Sequence, residues 1–250
     1  MTPPYVKEYI NKQIATIEFF HPAHNSLPGD LLAKLAEMIE MAGKNEDVRV
    51  VILKSGGDRT FCAGASFNEL INIDDAETGR QFFSGFANVI NAMRKCPKFI
   101  IGRVQGKTVG GGVGLASATD YCLATKFAGI KLSELNVGIG PFVVGPAVER
   151  KLGLSGMSQI AIDANSFYDA DWARAKGLYA QVFDTTEELD EAVQKLAEQL
   201  CTYNPDAMSE MKKVFWKGTE DWDKLLAERA AISGRLVLSD FTKETLKRFK

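Results

Sequence analysis

The chain has 250 residues, 46% of them hydrophobic, enough for one large domain with a sizeable core, or a core with an appendage. Thirty basic and thirty-two acidic side chains leave a net charge of -2 with no run of one sign, so the wide basic face of a nucleic-acid binder is absent and no nucleic-acid partner is expected. No stretch approaches about eighteen uninterrupted apolar residues, so no membrane span is expected either.

The opening segment, "MTPPYVKEYINKQIATIEFF", has neither the continuous apolar run of a secretory signal nor the Arg/Ser-rich, acid-poor character of a transit peptide. Its "KQIATIEFF" alternates and is rich in β-formers, which predicts a strand. The two histidines, His21 and His24 in "FFHPAHNSL", flank a proline in a turn with no acidic or thiol ligand beside them. A metal site needs three or four converging ligands, so none is expected. "NSLPGDLLAKLAEMIEMAGKN" has apolar residues at helical spacing, and "VRVVILKSG" is the continuous apolar run of a strand buried on both faces. A glycine turn, a long helix through "AETGRQFFSGFANVINAMRKC", a buried strand in "KFIIGRVQG", a glycine-rich stretch and short strands in "YCLAT" and "GIKLSEL" follow. Strands and helices alternate, which predicts an α/β core with helices outside parallel strands.

From about Glu187 the pattern is helical throughout. The expected division is therefore a core over residues 1–186 and a helical region over residues 187–250. Phe215, Trp216, Trp222, Leu225 and Leu226 are more apolar surface than one helix hairpin needs, so part of it is expected to cover another surface, such as a neighbouring subunit. Cys62, Cys96, Cys122 and Cys201 lie singly, without CxxC spacing, as reduced thiols in a cytoplasmic protein would.

The stretch "KTVGGGVGLASATD" puts Gly110, Gly111, Gly112 and Gly114 within five positions ahead of a helical pattern. A phosphate loop would need glycine where Ile101 stands, and no G-x-G-x-x-G/A can be drawn through Gly110–Gly114 or through Gly138 and Gly140. Two readings remain. Glycines let a helix pack closely on a strand. Bare backbone at a helix start also offers free N–H groups, reinforced by the helix dipole, to a developing oxyanion. A second small-residue turn, Ala63-Gly64-Ala65 in "TFCAGASFNEL", again sits between a strand and a helix, so two such turns can converge at one end of a parallel sheet.

The pair "FCAGAS" and "GGGVGLA", followed by "KLSELNVGIGP" and preceded by "FFHPAHNSL", resembles the crotonase superfamily of enoyl-CoA hydratases and isomerases over roughly residues 5–250. The resemblance implies a right-handed superhelix of ββα units with a C-terminal helical trimerisation region, assembled as trimers or hexamers. It implies an acyl-CoA substrate, with coenzyme A entering only as part of the thioester and no permanently bound cofactor. It also implies that the amides of Ala65 and Gly111 form the oxyanion hole, each donor being worth about 2.7–4 kcal/mol in the transition state, with Ala63, Gly64 and Gly110 letting the thioester approach. Where the family usually has Asp after the second Ala of the first motif, this chain has Ser66, which still caps a helix well.

Family hydratases hold a water between two glutamates. At the first of these positions this chain has Gly114, and at the second Glu134; Phe142 stands where a water-holding glycine is usual. Hydration needs a base for water and an acid for carbon 2, which one carboxylate cannot easily supply alone. Moving a double bond from position 3 to position 2 needs only one group to carry a proton from carbon 2 to carbon 4, and Glu134 through Phe142 is similar to the matching segment of mitochondrial-type Δ3,Δ2-enoyl-CoA isomerases. An isomerase with Glu134 as base is the favoured expectation. A hydratase using Glu134, branched-chain substrates included, and a non-catalytic acyl-CoA-binding homologue are the alternatives. Leu132, Leu135, Val137 and Ile139 are expected to wall Glu134 and raise its pKa. Glu69 and Asp120 match no catalytic position. Phe82, Phe83 and Phe86 fit either an acyl pocket or ordinary core packing, and Arg59 is a candidate contact for the phosphates of coenzyme A.

Overall fold

The computed structural model describes residues 2–248. Strands β1 (Tyr5–Asn11) and β2 (Ile14–Phe20) form an antiparallel hairpin. Its two-residue turn, Lys12-Gln13, takes positive φ at both positions, the geometry whose twist matches that of the flanking strands. The sequence pattern located β2 but not β1, because Lys-Gln carries none of the usual turn signals. A short β3 (Ser26–Leu27) leads into α1 (Gly29–Lys44), and β4 (Val50–Ser55) returns parallel to β2. Next come β5 (Thr60–Cys62), β6 (Gly64–Ala65), a single turn α2 (Phe67–Leu70) and the long α3 (Ala76–Lys95). Strands β7 (Phe99–Val104) and β8 (Lys107–Val109) feed α4 (Gly111–Ala118); β9 (Tyr121–Thr125) and β10 (Ile130–Lys131) feed a 3-10 turn at Glu134–Val137 and then α5 (Gly145–Ile162). The expected strand over "GIKLSEL" is thus cut to two residues, and its second half turns helical. After α6 (Ala170–Ala175) and β11 (Gln181–Phe183), helices α7 (Thr186–Cys201), α8 (Pro205–Phe215), α9 (Trp222–Leu236) and α10 (Asp240–Lys247) follow with no strand between them.

Three strand–strand–helix turns therefore repeat along the chain. Their first strands, β4, β7 and β9, join the opening hairpin and β11 in a six-stranded sheet in the order β1-β2-β4-β7-β9-β11, parallel except for that hairpin. Their second strands build a smaller parallel sheet, β10-β8-β5, and β3 pairs with β6. This stacking carries the two glycine turns, at the ends of β5 and β8, to one edge of the molecule.

The main core lies between the sheets and α1, α3, α4 and α5, with Ile17, Leu35, Leu53, Phe61, Ile90 and Val148 sealed from solvent. The other face of the six-stranded sheet, Ile14, Val50, Ile52, Ile101 and Leu123, is covered by Leu189, Val193 and Ala197 of α7. Helix α9 crosses α3 so closely that a Cβ on Gly79 would lie 2.8 Å from the Cα of Gly234, a contact only two glycines permit. The apolar surface expected to reach beyond the tail is in good part used within the chain. Trp216, Trp222 and Leu226 are buried in the main core, and the Trp216 indole N–H donates to Asp120 Oδ1 at 2.9 Å. Asp120 also pairs with Lys212 at 2.9 Å, both buried, and accepts the Ile100 N–H, so it is a packing carboxylate. Phe215 alone of that set remains exposed, with Leu225 half-buried. Among the described residues no helix is long and apolar enough to cross a membrane. Cys62, Cys96 and Cys122 are buried and Cys201 half-buried, all unpaired.

Candidate active site

Gly110 sits at φ 54° and ψ -118°, a conformation that side chains rarely tolerate, and it turns β8 sharply into α4. Gly111 is the first residue of that helix, where backbone N–H groups have no carbonyl partner within the helix. The other turn meets it directly, since a Cβ on Gly64 would lie 3.3 Å from the Val109 carbonyl and 3.6 Å from the Gly111 nitrogen. Ala65 is held on β6 from the β3 side. Ser66 N–H donates to the Leu27 carbonyl at 2.9 Å, and Ser26 Oγ donates to the Ala65 carbonyl at 2.8 Å. Because alternate residues of a strand direct their amides to opposite edges, the Ala65 N–H faces away from β3. Ser66 does cap α2, its hydroxyl accepting the Glu69 N–H at 3.3 Å. Glu69 itself accepts the Gly29 N–H at 3.0 Å from an exposed position.

Phe86 closes this corner from α3. A Cβ on Gly111 would stand 2.3 Å from its ring, so the absence of a side chain at 111 is what lets the ring pack against the start of α4.

Glu134 opens the 3-10 turn that follows β10, and the turn ends at Gly138 in the left-handed region. The turn points the carboxyl at Gly110, where a Cβ would lie 3.1 Å from Glu134 Oε1. Glu134 Oε2 is buried and has no hydrogen-bond partner among the described residues. Burial among apolar neighbours raises its pKa from 4.5 to about 7, against a smaller opposing pull from its own backbone N–H. The expected apolar wall is present in part: Leu132 and Ile139 are buried and Val137 lines the cavity, whereas Leu135 is 49% exposed and turned away.

These parts enclose a cavity of about 180 Å³. It brings together Ala63, Gly64, Ala65, Gly110, Gly111, Glu134 and Phe142, as expected from the sequence, with Phe82, Phe83 and Phe86 on its aromatic side. Arg59 is not among its lining residues; it borders a separate cleft with His21 and His24. The lining includes three contributions that sequence reasoning missed. Phe67 and Leu70 come from α2, and Ser233 comes from α9, the helix that crosses α3. The third is Val144. A Cβ on Gly114 would lie 2.5 Å from Val144 Cγ1 and 3.5 Å from Ile90 Cδ1, so the space a side chain at 114 would enter is already filled. Among the described residues no three His, Cys, Asp or Glu side chains converge as metal ligands would.

Strand–strand–helix turns stacked so that two glycine corners face one buried carboxyl define the crotonase fold and the kind of site it carries. The sequence matches the enoyl-CoA hydratase/isomerase family over residues 9–249, and the chain belongs to that family and is an enzyme of it. Among its relatives is the peroxisomal Delta(3,5)-Delta(2,4)-dienoyl-CoA isomerase of Arabidopsis thaliana, 29% identical over 80% of this chain and 76% of the plant protein. The mitochondrial methylglutaconyl-CoA hydratase of Mus musculus is 30% identical over 78% of this chain, a match that spans 63% of the mouse protein's length. In structure the chain is similar to the enoyl-CoA hydratase of Bacillus halodurans, with a TM-score of 0.88 at 20% identity over 98% of this chain and 99% of that one. At that identity the likeness speaks for the fold.

Proposed function

We propose that this enzyme moves a double bond from position 3 to position 2 of an enoyl-CoA, with Glu134 as its one acid–base group and the Ala65 and Gly111 amides as the oxyanion hole. The observation that carries this reading is the filled space at Gly114: Val144 and Ile90 occupy the place from which a second carboxyl would reach the substrate, leaving Glu134 alone in an apolar cavity. The thioester carbonyl accepts hydrogen bonds from both amides. Glu134 takes a proton from carbon 2, the electron pair moves into the thioester as a dienolate, and the amides hold the charge that develops on oxygen. The carboxylic acid so formed returns its proton at carbon 4, which leaves the double bond at position 2 and Glu134 ionised again. A pKa near 7 suits a group that must accept and return a proton in one turnover.

The helical region over residues 187–250 is proposed to assemble trimers or hexamers. Met211, Val214 and Phe215 of α8 support this by exposing a contiguous apolar stripe. The unpaired cysteines favour a reducing, cytoplasmic setting.

The test is a parallel spectrophotometric assay with a 3-enoyl-CoA and a 2-enoyl-CoA. Conversion of the first without hydration of the second is the expected result. Hydration of the second, with the first untouched, would assign a hydratase, and inertness toward both would assign a binding protein.

A further inference from the structure

The cavity's lining has a chemical bias that the reaction alone does not require. Beyond the glycine corners most of its side chains are hydrocarbon. Phe67 and Leu70 come from α2, Phe82 and Phe83 from α3, and Val137 and Ile139 from the 3-10 turn and the residues after it. Among the described residues, no lysine, arginine or histidine lines it, and the polar side chains are Ser133, Ser233 and Glu134. The wall is also backed by apolar groups rather than by charge. Val237 and Leu246, with Leu236 and Leu238, pack against Phe67, Leu70, Phe83, Val137 and Ile139 from outside.

We infer that the enzyme takes acyl groups whose distal end is uncharged and aliphatic, and rejects those that end in a carboxylate. This rests on the reading of the cavity as the acyl site of the proposed isomerase. A terminal carboxylate placed among these side chains would lose its hydration and gain no ion pair. Glu134 would add repulsion, since its ionised form is the second negative charge in the same low-dielectric space. A terminal methyl group, in contrast, is in contact with aromatic and branched carbon wherever it lies. Two serine hydroxyls do not balance a buried carboxylate, which in proteins is stabilised by a cation or by several N–H donors.

The experiment compares two saturated thioesters of equal carbon count, hexanoyl-CoA and adipoyl-CoA, by titration calorimetry on the full chain. Neither ligand has a double bond to shift, so the comparison reads the cavity apart from turnover. Adipoyl-CoA is expected to bind at least about 100-fold more weakly. A ratio below about tenfold would overturn the inference, because the carboxylate would then have found solvent or a partner within the site. If neither thioester binds, the acyl site itself is misplaced and the inference falls with it. An enzyme that discriminates between the two ligands yet fails to convert a 3-enoyl-CoA would refute the isomerase and leave the selectivity standing.

Discussion

Replacing Glu134 by glutamine should shift the stability balance toward the variant as pH rises, while it abolishes turnover. Folding moves the Glu134 carboxyl from water into the cavity and raises its pKa from 4.5 to about 7. The folded chain therefore holds the proton more tightly than the unfolded chain, so stability falls as pH rises through that interval and stays reduced above it. At roughly 1.4 kcal/mol for each pH unit, the full cost of ionising the buried group is about 3 kcal/mol, most of which develops between about pH 5 and about pH 8.5. Glutamine has the same shape and no charge. Its amide is left short of partners, a penalty of about 1–3 kcal/mol, but that penalty does not depend on pH. The difference in unfolding free energy between Glu134→Gln and the parent should thus shift in favour of the variant by about 2–3 kcal/mol from pH 5 to pH 8.5. In a chain of this size that is a change of roughly 5–10 °C in the gap between the two melting temperatures. Denaturant unfolding of both proteins at the two pH values measures it, and every other titrating group cancels in the comparison. A gap that stays the same at both pH values would refute the reasoning, since it would mean that the carboxyl is solvated in the folded chain.

Other consequences follow from the same geometry. The kcat/KM for a 3-enoyl-CoA should climb about tenfold per pH unit below 7 and level off above about 8, because the free enzyme must have Glu134 ionised to take the first proton; a flat profile from about pH 5 to 8 would exclude it as the base. Gly114→Glu alone should lower the melting temperature by several degrees and create no hydratase, since its first side-chain carbon would stand 2.5 Å from Val144 Cγ1 and 2.8 Å from Val144 Cβ, whereas pairing it with Val144→Gly, which removes both carbons, should restore folding and permit measurable hydration of a 2-enoyl-CoA. Gly79→Ala should destabilise by about 1–3 kcal/mol despite the better helix propensity of alanine, because its Cβ would run into the backbone of α9 at Gly234. An unchanged melting temperature there would mean that the two helices separate at no cost.

What the sequence made legible were features written in local periodicity or in the residue types that a close backbone approach demands. The buried strands β4 and β7, the helices α1 and α3 and the helical run after Thr186 all announce themselves by apolar spacing. The two glycine corners were visible because a close backbone approach limits which residues can stand there, and Glu134 through the resemblance to the family. Strand β1 was hidden by a Lys12-Gln13 turn that adopts left-handed backbone without glycine or asparagine. The 3-10 turn was hidden because "GIKL" opens with a strand-like pattern, whereas the turn's own hydrogen bonds, from the Asn136 N–H to the Ser133 carbonyl and from the Gly138 N–H to the Leu135 carbonyl, carry Glu134 out of the sheet toward Gly110. Val144 and Ser233 could not have been found by spacing, since each reaches the site through the path of a helix whose direction is set by distant packing.

The filled space at Gly114 and the raised pKa of Glu134 are two aspects of one design. A base near pKa 7 can be made from a carboxyl either by a neighbouring carboxylate, which repels the second charge, or by apolar surroundings, which withhold solvation. In this chain the first route is closed by Val144 and Ile90, and Val144, with Phe142 and Val137, lines the same cavity as Glu134 and supplies the second. Desolvation by burial is accordingly the largest cause of the shift at Glu134, with no other acidic side chain contributing. Under the proposed isomerase, the same packing that leaves no room for a second acid at 114 also leaves Glu134 in surroundings that suit a group carrying a proton between two carbons. Refilling position 114 with a carboxylate would have to change both properties together.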